Sequence, residues 1–488
     1  MKVKVLKILF WVLVFGIVSY GCNWLWVAAV KSVPNAEDFT LSIAPRDNGF
    51  VSSVINLLTF FDSRYTANML HGLNLLVFNR YDMFYLMPLI CFTLFVLSVF
   101  FFLSSVFAAE GKRVLLLCYV LFFLVGFFAV EPSLPFGLFY MASTFTYVYP
   151  WFFFFVWMGC FVRSKNKSGI GYLLYTLLGL IALFLSFGCS ELFIVINTIV
   201  LFSLSIIIWK LDRAHKYSLT PYILVALSSI AFIVTCPSGK LIHDNMDGNP
   251  NVNINWLNII NRSVQMNWTF LRMTVLTPIT ILLVLANTSF WLILRPRFVS
   301  KGVMNKKHLL VIFIMLIVLA YISSMVYFIS LTNSEEFPYR IFNTTLLIIL
   351  FAIHIILPLV FVDYLFDLMT DVKLYAFSCI IMTGVLLSYI FLPNNFLLIK
   401  QEDETGILDQ VKNDYVEFYQ NVRLVKQAGI SPSIVYLKNP SVVPKSNYFG
   451  PDVLPNRKAA YWNITFEQYF QVDEVRLKGD SIFKKDYE

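Results

Sequence analysis

Charged residues are scarce in this chain of 488 residues. Asp, Glu, Lys and Arg together make up 14% of the sequence, whereas hydrophobic residues make up 58%. Soluble domains contain about 25% charged residues, so this composition excludes an ordinary water-soluble protein. The apolar residues instead form runs of about twenty, the length at which an α-helix crosses a bilayer. The sequence therefore predicts a multi-pass membrane protein.

Cysteine patterns of a disulfide framework or a zinc site are also missing. The seven cysteines are an odd number, and no C-x-x-C spacing occurs among them. Cys189 and Cys236 fall near one predicted membrane face, but we expect all seven to be small buried hydrophobic residues. The first outer loop is sparsely acidic and offers no cage for a divalent ion. We therefore predict no metal and no cofactor.

Ionisable residues are nearly absent from the middle of the apolar runs. An ion-coupled carrier normally needs such residues, and a translocated polar head group needs a polar path. His354 is the exception, and without a carboxylate in its own run it is expected to be a hydrogen-bonded residue of the helix bundle. No inverted internal repeat is visible either. These absences count against a transporter.

Eleven apolar runs are predicted to span the membrane, which makes the fold an all-α polytopic membrane protein. The first run begins with basic residues, as a secretion signal does, but it is too long for a cleaved signal and is read as an uncleaved span. The predicted spans are Leu6–Val30, Met83–Ala108, Val114–Val130, Tyr147–Val162, Ile170–Phe187, Leu192–Trp209, Pro221–Cys236, Phe270–Leu294, Leu309–Ser330, Ile341–Val362 and Leu374–Leu392.

Basic residues predict the orientation of these spans. With a cytoplasmic N-terminus, 17 basic residues fall in the short inner loops, 8 in the longer outer loops and 12 in the C-terminal tail. This bias predicts that the N-terminus is inside and the C-terminus outside. It also accounts for most of the net charge of +8, together with anionic lipid, so no nucleic acid is predicted as a partner.

Two regions follow from this topology. Residues 1–395 form the predicted transmembrane domain, whose first outer loop covers residues 31–82. Residues 396–488 have mixed charge and form a predicted small extracytoplasmic α/β appendage. Within it we expect a helix near Glu402–Gln427, a strand at Ser433–Leu437 and an amphipathic helix near Phe466–Phe470.

Charged residues gather at the predicted outer boundary of the membrane. Transferring a sugar to a hydroxyl needs a base, and a carboxylate beside low-dielectric lipid has its pKa raised toward the working pH. A departing lipid phosphate needs fixed positive charge. Asp38 is the candidate base because the Glu37–Asp38 pair directly follows the first span and precedes a long loop. The candidate cations are Arg340, Lys240 and Arg64.

Each of these residues also has a simpler interpretation. Acids at helix ends are common solvated caps, and taken alone Glu37 and Glu131 fit that description better than a catalytic one. Arg64 and Arg80 can extend to water from helices that lie flat on the membrane. The sequence alone leaves both interpretations open.

Several stretches resemble the GT-C superfamily of polyprenyl-phosphate-sugar-dependent glycosyltransferases. Within it they are similar to bacterial multi-pass glucosyltransferases of the O-antigen-modifying kind. The acidic pair after the first span, the long first outer loop and the outer C-terminal appendage share this pattern. The similar stretches are Asp62-Ser63-Arg64-Tyr65 with Asn68 and His71, Tyr147-Val148-Tyr149-Pro150, Ser190-Glu191, Pro237-Ser238-Gly239-Lys240 and Phe337-Pro338-Tyr339-Arg340.

The resemblance implies a role for each candidate residue. Asp38 is the expected base or acceptor-orienting carboxylate, with Glu37 as its neighbour, although the order Glu-Asp departs from the more familiar Asp-Asp or Asp-Glu. The expected donor-phosphate ligands are Arg340, Lys240 and Arg64. The expected acceptor or sugar ligands are Asp62, His71, Glu191, His243 and Glu336.

The function implied is transfer of a sugar from a polyprenyl-phosphate donor to a glycan, lipid or protein on the outer face. The resemblance also implies a bacterial inner membrane. One alternative is a lipid-linked glycan polymerase or ligase, for which Arg262, Arg272 and His243 are the candidate residues. A flippase or transporter of lipid-linked sugars is the second alternative, and the lack of intramembrane charge counts against it.

Overall fold

A computed structural model describes residues 2–107, 113–165, 167–211, 218–238, 256–298, 310, 312–322, 339–357, 370–438, 444–447 and 461–478. The helices up to residue 211 are α1 (Lys2–Val30), α2 (Ala36–Asn48), α3 (Phe50–Phe60), α4 (Tyr65–Gly72), α5 (Leu86–Val106), α6 (Arg113–Val130), α7 (Met141–Tyr147), α8 (Tyr149–Lys165), α9 (Gly169–Phe187) and α10 (Glu191–Leu211).

The later helices and the strands complete the described chain. The helices are α11 (Thr220–Thr235), α12 (Trp256–Phe270), α13 (Pro278–Phe298), α14 (Ile312–Ile322), α15 (Tyr339–Phe351), α16 (Asp371–Phe391), α17 (Asn395–Glu404), α18 (Ile407–Ala428) and α19 (Tyr461–Phe470). Strands β1 (Ile434–Lys438) and β2 (Glu474–Lys478) pair in parallel, with Ile434 opposite Glu474.

The helices are long and apolar enough to make this an all-α multi-pass membrane protein. In the part of the chain that the structure describes, 7 helices meet the requirements for a span, and up to 8 if a bent pair counts as one. These helices are α1, α5, α6, α7 with α8, α9, α10 and α16. Each of the eleven predicted runs contains a helix, but α11, α14 and α15 are shorter, and eleven spans remain a prediction.

The predicted span Phe270–Leu294 is not one straight helix, and it remains a prediction as a single span. The helix formed by Ile260–Val275 bends by 69° into the one formed by Pro278–Leu294. A proline lacks the backbone N–H that would continue the hydrogen-bond ladder, and its ring clashes with the preceding turn. Pro278 therefore begins a new helix instead of extending the old one.

One apolar core joins the spanning helices. Phe290 of α13 is fully buried, and its ring packs against those of Phe10, Tyr119 and Phe122 at centroid distances of 5.7, 5.2 and 5.9 Å. Helix α9 instead exposes large apolar side chains such as Ile170. An exposed apolar helix face of this length fits contact with lipid tails.

All seven cysteines are free thiols, as the sequence predicts. Five are buried and two are partly buried. Cys189 and Cys236 therefore form no disulfide.

The C-terminal segment packs closely on the first loop. The predicted strand at Ser433–Leu437 is present as β1, but the predicted helix near Glu402–Gln427 is two helices, because Gly406 adopts a left-handed φ of 74° between α17 and α18. The Lys31 amine pairs with Asp403 and with Asp409. The Tyr469 hydroxyl donates to the Leu76 carbonyl at 2.7 Å. The segment thus shares one core with the membrane helices.

Candidate functional site

Asp38 is completely buried in the first turn of α2. Its Oδ2 accepts a hydrogen bond from the Asn35 amide at 3.0 Å, which forms a capping box with the Asn35 side chain. Its Oδ1 accepts from the Ala142 amide at 2.9 Å, at the start of α7. Such a carboxylate satisfies unpaired amides at two helix N-termini and complements their dipoles. These contacts support a structural role for Asp38, and its catalytic role stays a prediction.

Glu37 lies next to Asp38 but is only half-buried. Its backbone amide donates to the Asn35 side chain at 3.0 Å, the other half of the helix cap. Of the two acids in the predicted pair, Glu37 is therefore the more accessible.

Arg64, predicted as a donor-phosphate ligand, forms one ion-pair cluster with Asp62 and Glu191, which were predicted as acceptor or sugar ligands. The Arg64 Nε lies 3.1 Å from both carboxylate oxygens of Glu191, and its Nη1 lies 3.8 Å from Asp62 Oδ2. Burial acts to lower the pKa of Arg64, but Glu191, Tyr147 and Asp62 raise it above its usual value. Because two carboxylates, Asp62 and Glu191, face the single guanidinium of Arg64, the cluster has no surplus positive charge. Arg64 is thus already occupied and is a weak candidate for a phosphate ligand.

The turn between α9 and α10 holds this cluster in place. The amide of Thr66 donates to the Gly188 carbonyl at 2.8 Å, and the Tyr65 hydroxyl donates to the Phe184 carbonyl at 2.6 Å. A Cβ at Gly188 would overlap the Tyr65 ring, so only glycine permits this approach. The Asp62–Tyr65 and Ser190–Glu191 stretches therefore meet because of Gly188.

His71 of α4 is buried. Its ring packs edge-on against Phe145 of α7 with centroids 5.1 Å apart, and its Nδ1 has no hydrogen-bond partner among the described residues. Burial, with a smaller effect from the charge of Arg64, lowers the pKa of His71 to about 3. His71 is therefore neutral at physiological pH.

Asp38, His71 and Arg64 all interact with helix α7. Ala142 bonds to Asp38, Phe145 contacts His71, and Tyr147 interacts electrostatically with Arg64. The predicted site residues of the first loop are thus arranged along successive turns of one short helix. The sequence did not indicate α7, because its run of Met, Ala, Ser and Thr has no charged residue.

Glu131 is the residue whose importance the sequence understated. It follows α6, is 3% exposed, and its Oε2 has no hydrogen-bond partner among the described residues. Its carboxylate packs on Gly137, where a Cβ would overlap it. Burial raises the pKa of Glu131 well above its usual value. A buried acid without a compensating partner is rare in proteins, and it marks a candidate functional group.

Two cavities meet at Glu131. A groove of about 700 Å³ has mainly apolar walls from the ends of α6 and α16, the bent α12–α13 pair and α17. A cavity of about 10 Å³, which suits a single water, lies between Glu131, Gly137, Tyr147 and the start of α15. Among the described residues, Glu131 is the one that lines both. Polar side chains of the groove are Thr274, Thr277, Asn394, Asn395 and Gln401.

The first turns of α15 are fixed beside this acid. Asn343 donates through Nδ2 to the Ser133 carbonyl at 2.8 Å and accepts from the Ser133 amide at 3.2 Å. Arg340 lies one turn earlier in the same helix, and positions three apart share a helix face. Arg340 therefore lies in the first turn of α15, one turn before the residue that bonds to the Glu131 loop.

Several predicted residues lie outside the described part of the chain. The side chain of Arg340 belongs to this group, as do Lys240, His243 and Glu336.

His354 is described, and its Nδ1 lies 3.2 Å from Asn287 Nδ2. This contact fits the bundle role expected for His354.

No group of three or more His, Cys, Asp or Glu residues suited to a metal ion occurs within the described ranges. Comparison with protein-family models, curated proteins and solved structures found no match to this chain.

Proposed function

We propose that this protein is a membrane glycosyltransferase that uses a polyprenyl-phosphate sugar as its donor. The observation that carries the proposal is the position of Glu131. It is a buried carboxylate with an oxygen that no described residue pairs, at the edge of a groove of about 700 Å³. The mainly apolar walls of the groove support a lipid-linked donor, whose isoprenoid chain they can contact.

The groove is suited to an amphipathic donor. Phe270, Met273, Ile279, Leu397 and Leu398 supply apolar surface for an isoprenoid chain. Thr274 and Gln401 supply hydrogen-bonding groups for sugar hydroxyls, whereas Asn394 and Asn395 at the start of α17 already bond to backbone groups of the protein. Ligand pockets commonly combine a mostly apolar lining with a few such polar groups, and this volume lies within their usual range of about 300–1,000 Å³.

Glu131 is the proposed general base. Burial raises the pKa of Glu131 above its usual value, and a carboxylate of higher pKa is a stronger base toward a hydroxyl proton. In the reaction, an acceptor hydroxyl attacks the anomeric carbon and the bond from that carbon to the phosphate oxygen breaks. The electron pair leaves with the polyprenyl phosphate, and Glu131 takes the hydroxyl proton.

Arg340 is the proposed ligand for the departing phosphate. The Asn343–Ser133 hydrogen bonds hold the turn after Arg340 against the Glu131 loop. We assign this role to Arg340 because it lies in the first turn of α15 and a phosphate leaving group needs a fixed positive charge. Arg64, whose charge is balanced by Glu191 and Asp62, instead organises the first loop.

A catalytic role for Asp38 requires α2 to move. In the present arrangement both oxygens accept backbone hydrogen bonds, and the residue has no exposed surface. The proposal therefore assigns proton transfer to Glu131 and helix positioning to Asp38.

A lipid-linked glycan polymerase or ligase is the second candidate. Arg272, one of the arginines considered for it, lies beside Met273 and Thr274, which line the groove. A polymerase would take both its donor and its acceptor from lipid-linked glycans, so the lipid carrier of the acceptor distinguishes the two functions.

Donor turnover by the purified protein tests the proposal. The protein is reconstituted in liposomes with radiolabelled polyprenyl-phosphate hexoses and with extracted cell-envelope glycans as acceptors. We expect labelled glycan and free polyprenyl phosphate to appear in equal amounts, and Arg340→Gln to raise the apparent KM for the donor. Lys31→Gln is the matched control, because Lys31 pairs with Asp403 and Asp409 away from the groove. Labelled donor that crosses the bilayer intact would contradict the proposal and favour a flippase.

A further inference from the structure

A second cleft lies between the end of the first span and helix α18. One wall is the linker Ser32–Pro34 with Val30, and the opposite wall is a face of α18. Tyr81, Asp82 and Tyr85 close one side, and the enclosed volume is about 230 Å³. This is a different cavity from the Glu131 groove, since the two share no lining residue.

The face of α18 repeats with helical spacing along the cleft. Its lining residues are Lys412, Tyr415, Val416, Tyr419, Gln420 and Arg423. Lys412, Tyr415 or Val416, Tyr419 or Gln420, and Arg423 succeed one another three or four positions apart, so they form a single stripe. A stripe that combines tyrosines with long polar side chains is suited to an amphipathic ligand.

Aromatic rings give the cleft a rigid apolar surface. The rings of Tyr81 and Tyr419 pack with centroids 4.2 Å apart. Arg423 donates through Nε to the Tyr81 hydroxyl at 3.0 Å, which fixes both side chains at the rim. A pyranose ring has an apolar C–H face and a polar edge, so tyrosine rings beside Arg, Lys and Gln side chains match both of its surfaces.

The cleft also carries surplus positive charge. Within the described ranges, neither Lys412 nor Arg423 has a carboxylate at ion-pair distance, whereas Asp82 pairs with Arg80 at 3.5 Å. An arginine already oriented by Tyr81 needs little further ordering to bind an anion. The charge therefore favours a sugar that carries a phosphate or carboxylate over a neutral one.

We infer that this cleft binds an anionic saccharide, as the recognition site for the acceptor glycan. Its volume, below that of drug-sized pockets, is suited to a single sugar unit. The Ser32–Pro34 linker runs directly into the cap of α2, which Asp38 ties to α7, and Tyr147 of α7 lines the small cavity at Glu131. The acceptor role rests on the proposed transferase function, whereas the saccharide site itself does not.

Saturation-transfer NMR on the full-length protein in nanodiscs tests the inference, with glucose 6-phosphate as the probe. We expect its ring protons to receive saturation, glucose to bind more weakly, and inorganic phosphate to compete poorly. Lys412→Gln and Arg423→Gln should each weaken binding by about tenfold, since each removes a charged contact. Tyr85→Leu should weaken binding of both sugars, because it removes a ring but no charge.

Lys400→Gln is the matched control, since Lys400 is a lysine of the same segment that does not line the cleft and pairs with Glu404. It should leave binding unchanged. Absence of ring-proton saturation, equal binding by Lys412→Gln and wild type, or full displacement by inorganic phosphate would each overturn the inference. Sugar binding in a protein that shows no donor turnover would refute the transferase and leave the saccharide site standing.

Discussion

The Asp38 carboxylate accepts a hydrogen bond from the Ala142 amide at 2.9 Å, across more than a hundred positions of sequence. This bond ties the first helix after the membrane to the start of α7, the helix along which the other first-loop residues are arranged. The other carboxylate oxygen of Asp38 accepts a hydrogen bond from the Asn35 amide. Asp38 therefore controls the geometry of the candidate site through the backbone.

Replacing Asp38 with asparagine should destabilise the protein. The amide group would present a donor to one of two backbone amides that are donors themselves, and a buried hydrogen bond would be lost. We expect a loss of about 1–3 kcal/mol in the free energy of unfolding. Thermal unfolding in detergent measures it. Glu37→Gln is the control and should unfold near the wild-type temperature, since Glu37 is half-buried. Equal stability of Asp38→Asn and wild type would contradict the structural role.

Gly188→Ala should disrupt the Arg64 cluster. The added Cβ would overlap the Tyr65 ring, so α4 must shift away from the turn before Glu191. Overpacking of this kind costs about 1–3 kcal/mol. Thermal unfolding is again the measurement. Gly171→Ala is the matched control in α9, because the nearest atom to its Cβ is 3.6 Å away, an ordinary contact. If the two variants are equally stable, the close approach of Tyr65 to Gly188 does not occur.

Glu131 should make the stability of the protein depend on pH. Its pKa in the folded state is raised, so the folded protein retains a proton that the unfolded chain releases. The stabilisation is present at low pH and is lost as pH rises from the usual glutamate value toward the folded one. Glu131→Gln mimics the protonated acid and should remove this loss. Unfolding temperatures from pH 4 to pH 8 should therefore fall less in the variant. If the unfolding temperatures of the variant and the wild type change in parallel with pH, Glu131 is hydrated or paired and its pKa is not raised.

His71 should make the stability of the protein depend on pH in the opposite direction to Glu131. Burial lowers the pKa of His71 to about 3, so the folded protein excludes a proton that the unfolded chain binds below its usual pKa near 6.5. Stability should fall as pH decreases from about 6.5 toward 3. His71→Gln should flatten this part of the unfolding curve. An NMR titration of His71 with a midpoint near 6.5 would contradict its burial.

The sequence predicted the all-α membrane fold class and the positions of most membrane helices, but not the ion-pair cluster of Arg64, Asp62 and Glu191. Hydropathy and charge depend on local composition, so they are readable without a structure. The break at Pro278 and the two-helix form of residues 395–428 were missed, because each depends on one residue within an otherwise helical pattern. Glu131 was underrated because burial, which distinguishes it from a solvated cap, depends on the contact with Gly137.

The turnover of Glu131→Gln tests the central proposal most directly. The measurement is the rate of polyprenyl phosphate release from a saturating labelled donor, per folded molecule. A general base contributes about 10²–10⁴-fold, so Glu131→Gln should lose at least about a hundredfold in kcat. Glu404→Gln, an exposed acid in α17 outside the groove, is the control and should retain wild-type turnover. A hundredfold loss supports Glu131 as the base, whereas wild-type turnover by Glu131→Gln would contradict it.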